Sequence, residues 1–192
     1  IRPSPGERRR LASLDRARGL LDAALDALVG GCGWSPGEIF LFGYGHGGTL
    51  ALDVVEHRGA RLERSLGGAV GVATEVLPER RWQAPASPSG VPQEEASGGA
   101  PPGVLLIHGQ ADQAVGVDAA QASVDYLRTA LGAGEEAVRL CVFPARGGEM
   151  LRGDHPEECR CLMEFLSDHL HGVGRRGSAE AMARLGAEPV ER

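Results

Sequence analysis

Leucines recur at steps of three, four and seven from Glu7 to Leu28, at positions 11, 14, 21, 25 and 28, with Asp15, Arg16, Arg18, Asp22 and Asp26 between them. One apolar and one charged face at that period predict an amphipathic helix. Gly30-Gly31 is the expected stop, because glycine tolerates the positive φ on which helices end. The pattern then changes. Ile39 to Phe42 is a continuous apolar run, which predicts a strand buried on both faces. A glycine turn follows, then a short apolar helix carrying Leu50, Leu52, Val54 and Val55 and ending near His57-Arg58-Gly59.

Further strands are predicted over Ala69 to Ala73, Val104 to His108 and Val138 to Phe143. A helix over about 117 to 132 is carried by Val117, Val124, Leu127 and Leu131, and a closing helix starts near Pro156 and carries Leu162, Phe165, Leu166 and Leu170. Strands alternating with helices predict the α/β class, a mostly parallel sheet with helices on both faces. Function in such sheets gathers at the carboxyl ends of the strands, which points to loops 43–48, 74–103, 109–116 and 144–155. Residues 84–102 are rich in Pro, Gly, Ser and Ala without a period and are expected to form a mobile loop. Residues 1–171 are expected to form one domain, and 172–192 a loose tail with at most one short helix.

Composition narrows the partners. A net charge of -6, with one basic run at Arg8 to Arg10, argues against nucleic acid, which needs clustered cations to displace counterions. No run approaches the roughly 20 apolar residues of a membrane span. The first residues, IRPSPGERRR, contain neither an initiator Met nor an apolar signal core, so a processed or incomplete chain is expected. Cys32, Cys141, Cys159 and Cys161 are too irregularly spaced for a disulfide scaffold, and a reducing cytoplasm suits them. A metal at Cys159, Cys161 and His155 is disfavoured, because the CxxC spacing and further ligands of a zinc site are missing. No cofactor is expected.

The candidate chemistry lies in Gly43-Tyr44-Gly45-His46-Gly47-Gly48, between strand and helix. That order is the setting of a nucleophile elbow, where GxSxG exposes a serine oxygen on a strained turn. Here Gly45 stands at the serine position and supplies no oxygen. A dinucleotide fingerprint can be traced on Gly43, Gly45 and Gly48, but the acid expected about 20 residues on would be Glu63, which precedes the next strand instead of ending it. A Walker A loop is excluded by the lack of any GK[ST]. Gly33-Trp34-Ser35-Pro36-Gly37 spells GxSxG, but it lies between a helix and a strand, at the opposite sheet edge, and reads as a turn.

The order SPGEIFLFGYGHGGTLAL, TEVLP, VLLIHGQADQAVGV and EFLSDHL resembles the acyl-protein thioesterase, phospholipase and carboxylesterase family of α/β-hydrolases over about residues 7 to 170. The resemblance implies an α/β-hydrolase-like fold, N-terminally truncated, with Asp112 at the position of the triad acid. It places the family's histidine near Arg152, leaving His155 as the local candidate base, although Asp154-His155-Pro156 also reads as a helix start. His46 supplies the amide expected at the oxyanion hole and Tyr44 is expected to line the pocket. The family's first strands and their second oxyanion donor have no counterpart, so Ile39 to Phe42 is expected at an open edge that a protein partner could cover.

Three functions follow as expectations. The first is a degenerate ester or thioester hydrolase homologue, inactive by the serine mechanism because residue 45 lacks a hydroxyl. The second is a non-catalytic module for an acyl chain or a lipidated protein. The third is a hydrolase using activated water with His155 or His46 and Asp112. Plainer roles are expected elsewhere: His108 packed or hydrogen bonded, Trp34 and Trp82 covering a helix end and a loop, Asp53 and Glu56 facing solvent.

Overall fold

The computed structural model describes residues 8–59, 65–83, 100–153 and 155–170. Its elements run in the order α1 (Arg8–Cys32), β1 (Phe40–Tyr44), α2 (His46–Gly59), β2 (Gly68–Val72), α3 (Pro78–Gln83), β3 (Gly103–Gly109), α4 (Val117–Leu131), β4 (Val138–Phe143) and α5 (Pro156–Leu170). The four strands form a parallel sheet in the order β1-β2-β3-β4.

Alternation along β3 sorts the core into two layers. Val104 and Leu106 face one way and meet Leu25 of α1, Val54 and Val55 of α2, and Val124 and Leu127 of α4. Leu105 and Ile107 face the other way and pack with Val70, Val72 and Phe165 of α5. Burial of a ring such as that of Phe165 contributes about 2 to 3 kcal/mol. The expected α/β architecture is therefore present, with helices on both faces.

Several details depart from the sequence pattern. Helix α1 runs through Gly30-Gly31 to Cys32 and ends at Gly33, which takes φ +75. Strand β1 is an edge strand and is not buried on both faces: Phe42 is 49% and Tyr44 45% exposed. Helix α3 arises in what reads as a loop.

Asp53 and Glu56 do not face solvent. Asp53 is buried and accepts from Arg18 Nη1 and Arg80 Nε, each at 2.9 Å, while Glu56 is half-buried and accepts from the Tyr126 hydroxyl at 3.4 Å. Arg18 and Arg80 also reach Asp15, so this charge cluster ties α1 and α3 to α2. The cysteines build no scaffold, yet Cys141 of β4 and Cys161 of α5 form a disulfide, leaving Cys32 and Cys159 free.

Trp34 is half-exposed, and Trp82 lies in α3. The segment 84–99 and the tail 171–192 lie outside the described residues. Among the described residues no helix is long and apolar enough to cross a membrane.

Candidate functional site

The bend between β1 and α2 has the geometry that its sequence setting predicts. Gly45 adopts φ +53, a left-handed conformation that costs a non-glycine residue about 1 to 2 kcal/mol. Its N–H donates to Val72 O at 2.9 Å, and its carbonyl accepts from Thr49 N at 3.0 Å. The close approach of helix to strand needs two glycines. A Cβ on Gly43 would lie 2.3 Å from Gly47 O, and one on Gly48 would lie 2.8 Å from the Thr74 side chain. Gly47, the second glycine of the GxSxG pattern, meets nothing within 4 Å.

At the apex a Cβ on Gly45 would also meet nothing within 4 Å, so the turn faces open space. Thr49 fastens the bend from behind: Oγ1 lies 3.0 Å from Thr74 Oγ1 and 3.0 Å from Glu75 O. Beside it, Ala73 takes φ 48 at the end of β2 and donates its N–H to Ile107 O at 3.0 Å. Such non-glycine strain concentrates at functional sites, and nothing in the sequence signals it.

Asp112 lies beyond β3, 9% exposed. Its Oδ1 accepts from Ala114 N at 2.7 Å and Val115 N at 3.0 Å, which fixes the carboxylate. His108 is the imidazole beside it, with Nε2 3.9 Å from Asp112 Oδ2. That Nε2 lies 2.8 Å from Val115 O, an acceptor only, so it carries the proton. Nδ1 of His108 is buried without a partner. His108 is thus packed and hydrogen bonded, as expected.

The loop between β4 and α5 closes over this corner. A Cβ on Gly109 would stand 2.1 Å from Gly147 O, and one on Gly148 would stand 2.8 Å from Asp112 Oδ2. Gly148 therefore covers the carboxylate, and its carbonyl accepts the Tyr44 hydroxyl at 2.6 Å. Tyr44 is half-exposed and acts as this tie between the elbow and the loop.

His155, the local candidate base, is exposed at the start of α5. Its N–H donates to Arg152 O at 3.1 Å and its carbonyl accepts from Cys159 N at 3.2 Å, the bonding of a helix start. His46 is exposed as the first residue of α2, beside the apex. The structure thus gathers Gly45, Tyr44, Gly148 and Asp112 at the carboxyl edge of the sheet, with His108 buried beneath. Gly148 was missed in the sequence because a residue without a side chain announces no chemistry; the Gly147-Gly148 pair near the end of β4 was the available signal.

No protein-family model matches the chain. A stretch of 50 residues is 48% identical to an uncharacterized hydrolase of Mycosarcoma maydis, covering 26% of this chain and 19% of that protein. Among solved structures, esterase PE8 matches with a TM-score of 0.60 and 25% identity, over 83% of this chain and 63% of that one. SOBER1 of Arabidopsis thaliana matches with a TM-score of 0.60 and 23% identity, over 83% and 65% of the two chains. The carboxylesterase of Bacillus cereus gives a TM-score of 0.56 at 18% identity, over 85% and 66%.

The chain has an α/β-hydrolase-like fold. It spans less than two thirds of the length of these solved relatives and about a fifth of the curated one. The β4–α5 loop also borders a half-open pocket of about 310 Å³, lined among others by Phe143, Pro144, Arg146, Glu149, His155 and Glu158. Arg146 is buried, pairs with Glu158 and donates to the Glu149 carbonyl, while its Nε has no partner. The Glu149 carboxyl is held below its usual range, first by its own backbone N–H and, with burial acting the other way, by that of Gly147.

Proposed function

We infer that this hydrolase homologue is degenerate: related to carboxylic ester and thioester hydrolases, it is inactive by the serine mechanism. One observation carries the reading. The apex of the elbow, at φ +53, is Gly45, which has no oxygen to attack a carbonyl. Loss of a nucleophile of this kind costs on the order of a millionfold in kcat. The base corner supports the same conclusion, since Gly148 covers the Asp112 carboxylate and the nearby His108 is buried with its Nε2 proton directed to Val115 O.

The test is treatment of the chain with a fluorophosphonate probe beside a p-nitrophenyl ester assay. Neither covalent labelling nor turnover is expected. Ester turnover that disappears in His155→Ala would overturn the reading in favour of a water-activating His155 and Asp112 site. The Gly45→Ser variant has room for its side chain and is expected to remain without turnover, because it restores a hydroxyl but no base.

A second reading is a non-catalytic module for an acyl chain or a lipidated protein. The open space in front of Gly45 favours it. Saturable binding of a long-chain acyl ligand without turnover is the expected result, and a flat titration would remove this reading.

A further inference from the structure

The cavity-lining residues Phe143 through Glu158 all fall between Cys141 and Cys161, the two ends of the disulfide. So does Gly148, which covers the Asp112 carboxylate and receives the Tyr44 hydroxyl. One covalent bond therefore closes the whole loop that shapes this corner. We propose that Cys141–Cys161 is a redox latch, which holds the β4–α5 loop against Asp112 when oxidised and releases it when reduced.

Two features make the latch consequential. The start of helix α5, which continues the loop, is lightly anchored, since Pro156 and Glu157 are exposed, whereas Phe165 with Leu162 and Leu166 holds the rest of the helix to the sheet. Without the bond, the loop is held by the Tyr44–Gly148 hydrogen bond, the Arg146–Glu158 pair and backbone bonds such as Ala111 N to Arg146 O, each of which local opening breaks. A cross-link limits that opening by restricting the separation of its two ends. Both cysteines are half-buried and so are partly open to a reductant.

The step requires a dithiol reductant. Its thiolate attacks one Sγ, the Cys141–Cys161 bond breaks, and the electron pair leaves on the other Sγ, which takes a proton. The second thiol then displaces the first cysteine as thiolate, which is protonated in turn. The pair gains two electrons and two protons, and the reductant departs as a disulfide.

The experiment is hydrogen exchange on the whole chain, oxidised and then reduced with dithiothreitol, with thiol titration under denaturing conditions. The oxidised chain should titrate two thiols, Cys32 and Cys159, and the reduced chain four. On reduction, amides of 144–153 should exchange about tenfold faster or more, while β2 and β3 stay unchanged. Cys141→Ser/Cys161→Ser should reproduce the reduced pattern, and Cys159→Ser should keep the oxidised one. Loop exchange within twofold between the two states, or four titratable thiols after treatment with a mild disulfide oxidant, would overturn the proposal.

Discussion

The hydroxyl of Tyr44 donates to the carbonyl of Gly148 at 2.6 Å, across 104 residues of sequence. It joins the last residue of β1, one position before the elbow apex, to the loop that covers Asp112. Replacement by Phe keeps the ring and removes the bond. Tyr44→Phe should cost about 0.5 to 1.5 kcal/mol locally and speed amide exchange across 144–150, with little change in β3. A loop whose exchange is unaltered would show that Tyr44 ties nothing.

The two glycines of the GxSxG pattern should respond in opposite ways. Gly43→Ala places a methyl 2.3 Å from Gly47 O, so strand and helix must separate. A loss of about 2 kcal/mol or more is expected in denaturant unfolding. Gly47→Ala meets nothing and sits in α2, so a gain of about 0.5 kcal/mol is expected from the lower backbone entropy of the unfolded chain. Equal effects of the two would contradict the elbow packing.

Asp53 should behave as a buried, paired charge. Its side chain is 3% exposed and held by Arg18 and Arg80. Asp53→Ala leaves both guanidinium groups without their buried partner and should cost about 3 kcal/mol. Asp15→Ala, at the 47% exposed end of the same cluster, should cost less than about 1 kcal/mol. Chemical denaturation of the two variants provides the comparison.

Glu56 sets a pH dependence. Burial, and then the charge of Asp53, raise its carboxyl above the ordinary 4.5. A raised carboxyl favours the protonated folded form, so its contribution is fully present below pH 4.5 and is lost as pH rises through the folded value. Glu56→Gln should therefore raise Tm at pH 7 and flatten the stability profile above pH 4.5. A lower Tm at pH 7 would reverse the sign. At the other end, the Tyr126 hydroxyl, pushed up to about 12 first by burial and then by Glu56, should resist ionisation at pH 11 and titrate in its ordinary range once the chain unfolds.

The strands and long helices were legible because a buried parallel strand needs an uninterrupted apolar run and an amphipathic helix needs its period. Helix α3 was not, since PERRWQ is too short to show one. The end of α1 was expected at Gly30-Gly31, yet the helix runs on to Cys32, because it is Gly33 that takes the positive φ. Asp53 looked like a surface residue because its partners come from α1 and α3, 35 and 27 positions away.

The strand, turn and helix around Gly45 could be read from the apolar run, the glycines and the apolar helix that follows. Gly148 became visible only when folding laid the β4–α5 loop across Asp112. The Cys141–Cys161 pairing likewise depends on β4 and α5 lying side by side, which no spacing rule supplies.

The Thr49–Thr74 contact has a last consequence. That hydroxyl pair and the snug seat of Gly48 on Thr74 clamp the turn from the rear, so the bend at residue 45 is held by contacts that involve no side chain at its apex. The frame is a ready chassis for protein engineers, on which a thiol, a hydroxyl or an unnatural side chain can be mounted at one defined point and compared on equal terms.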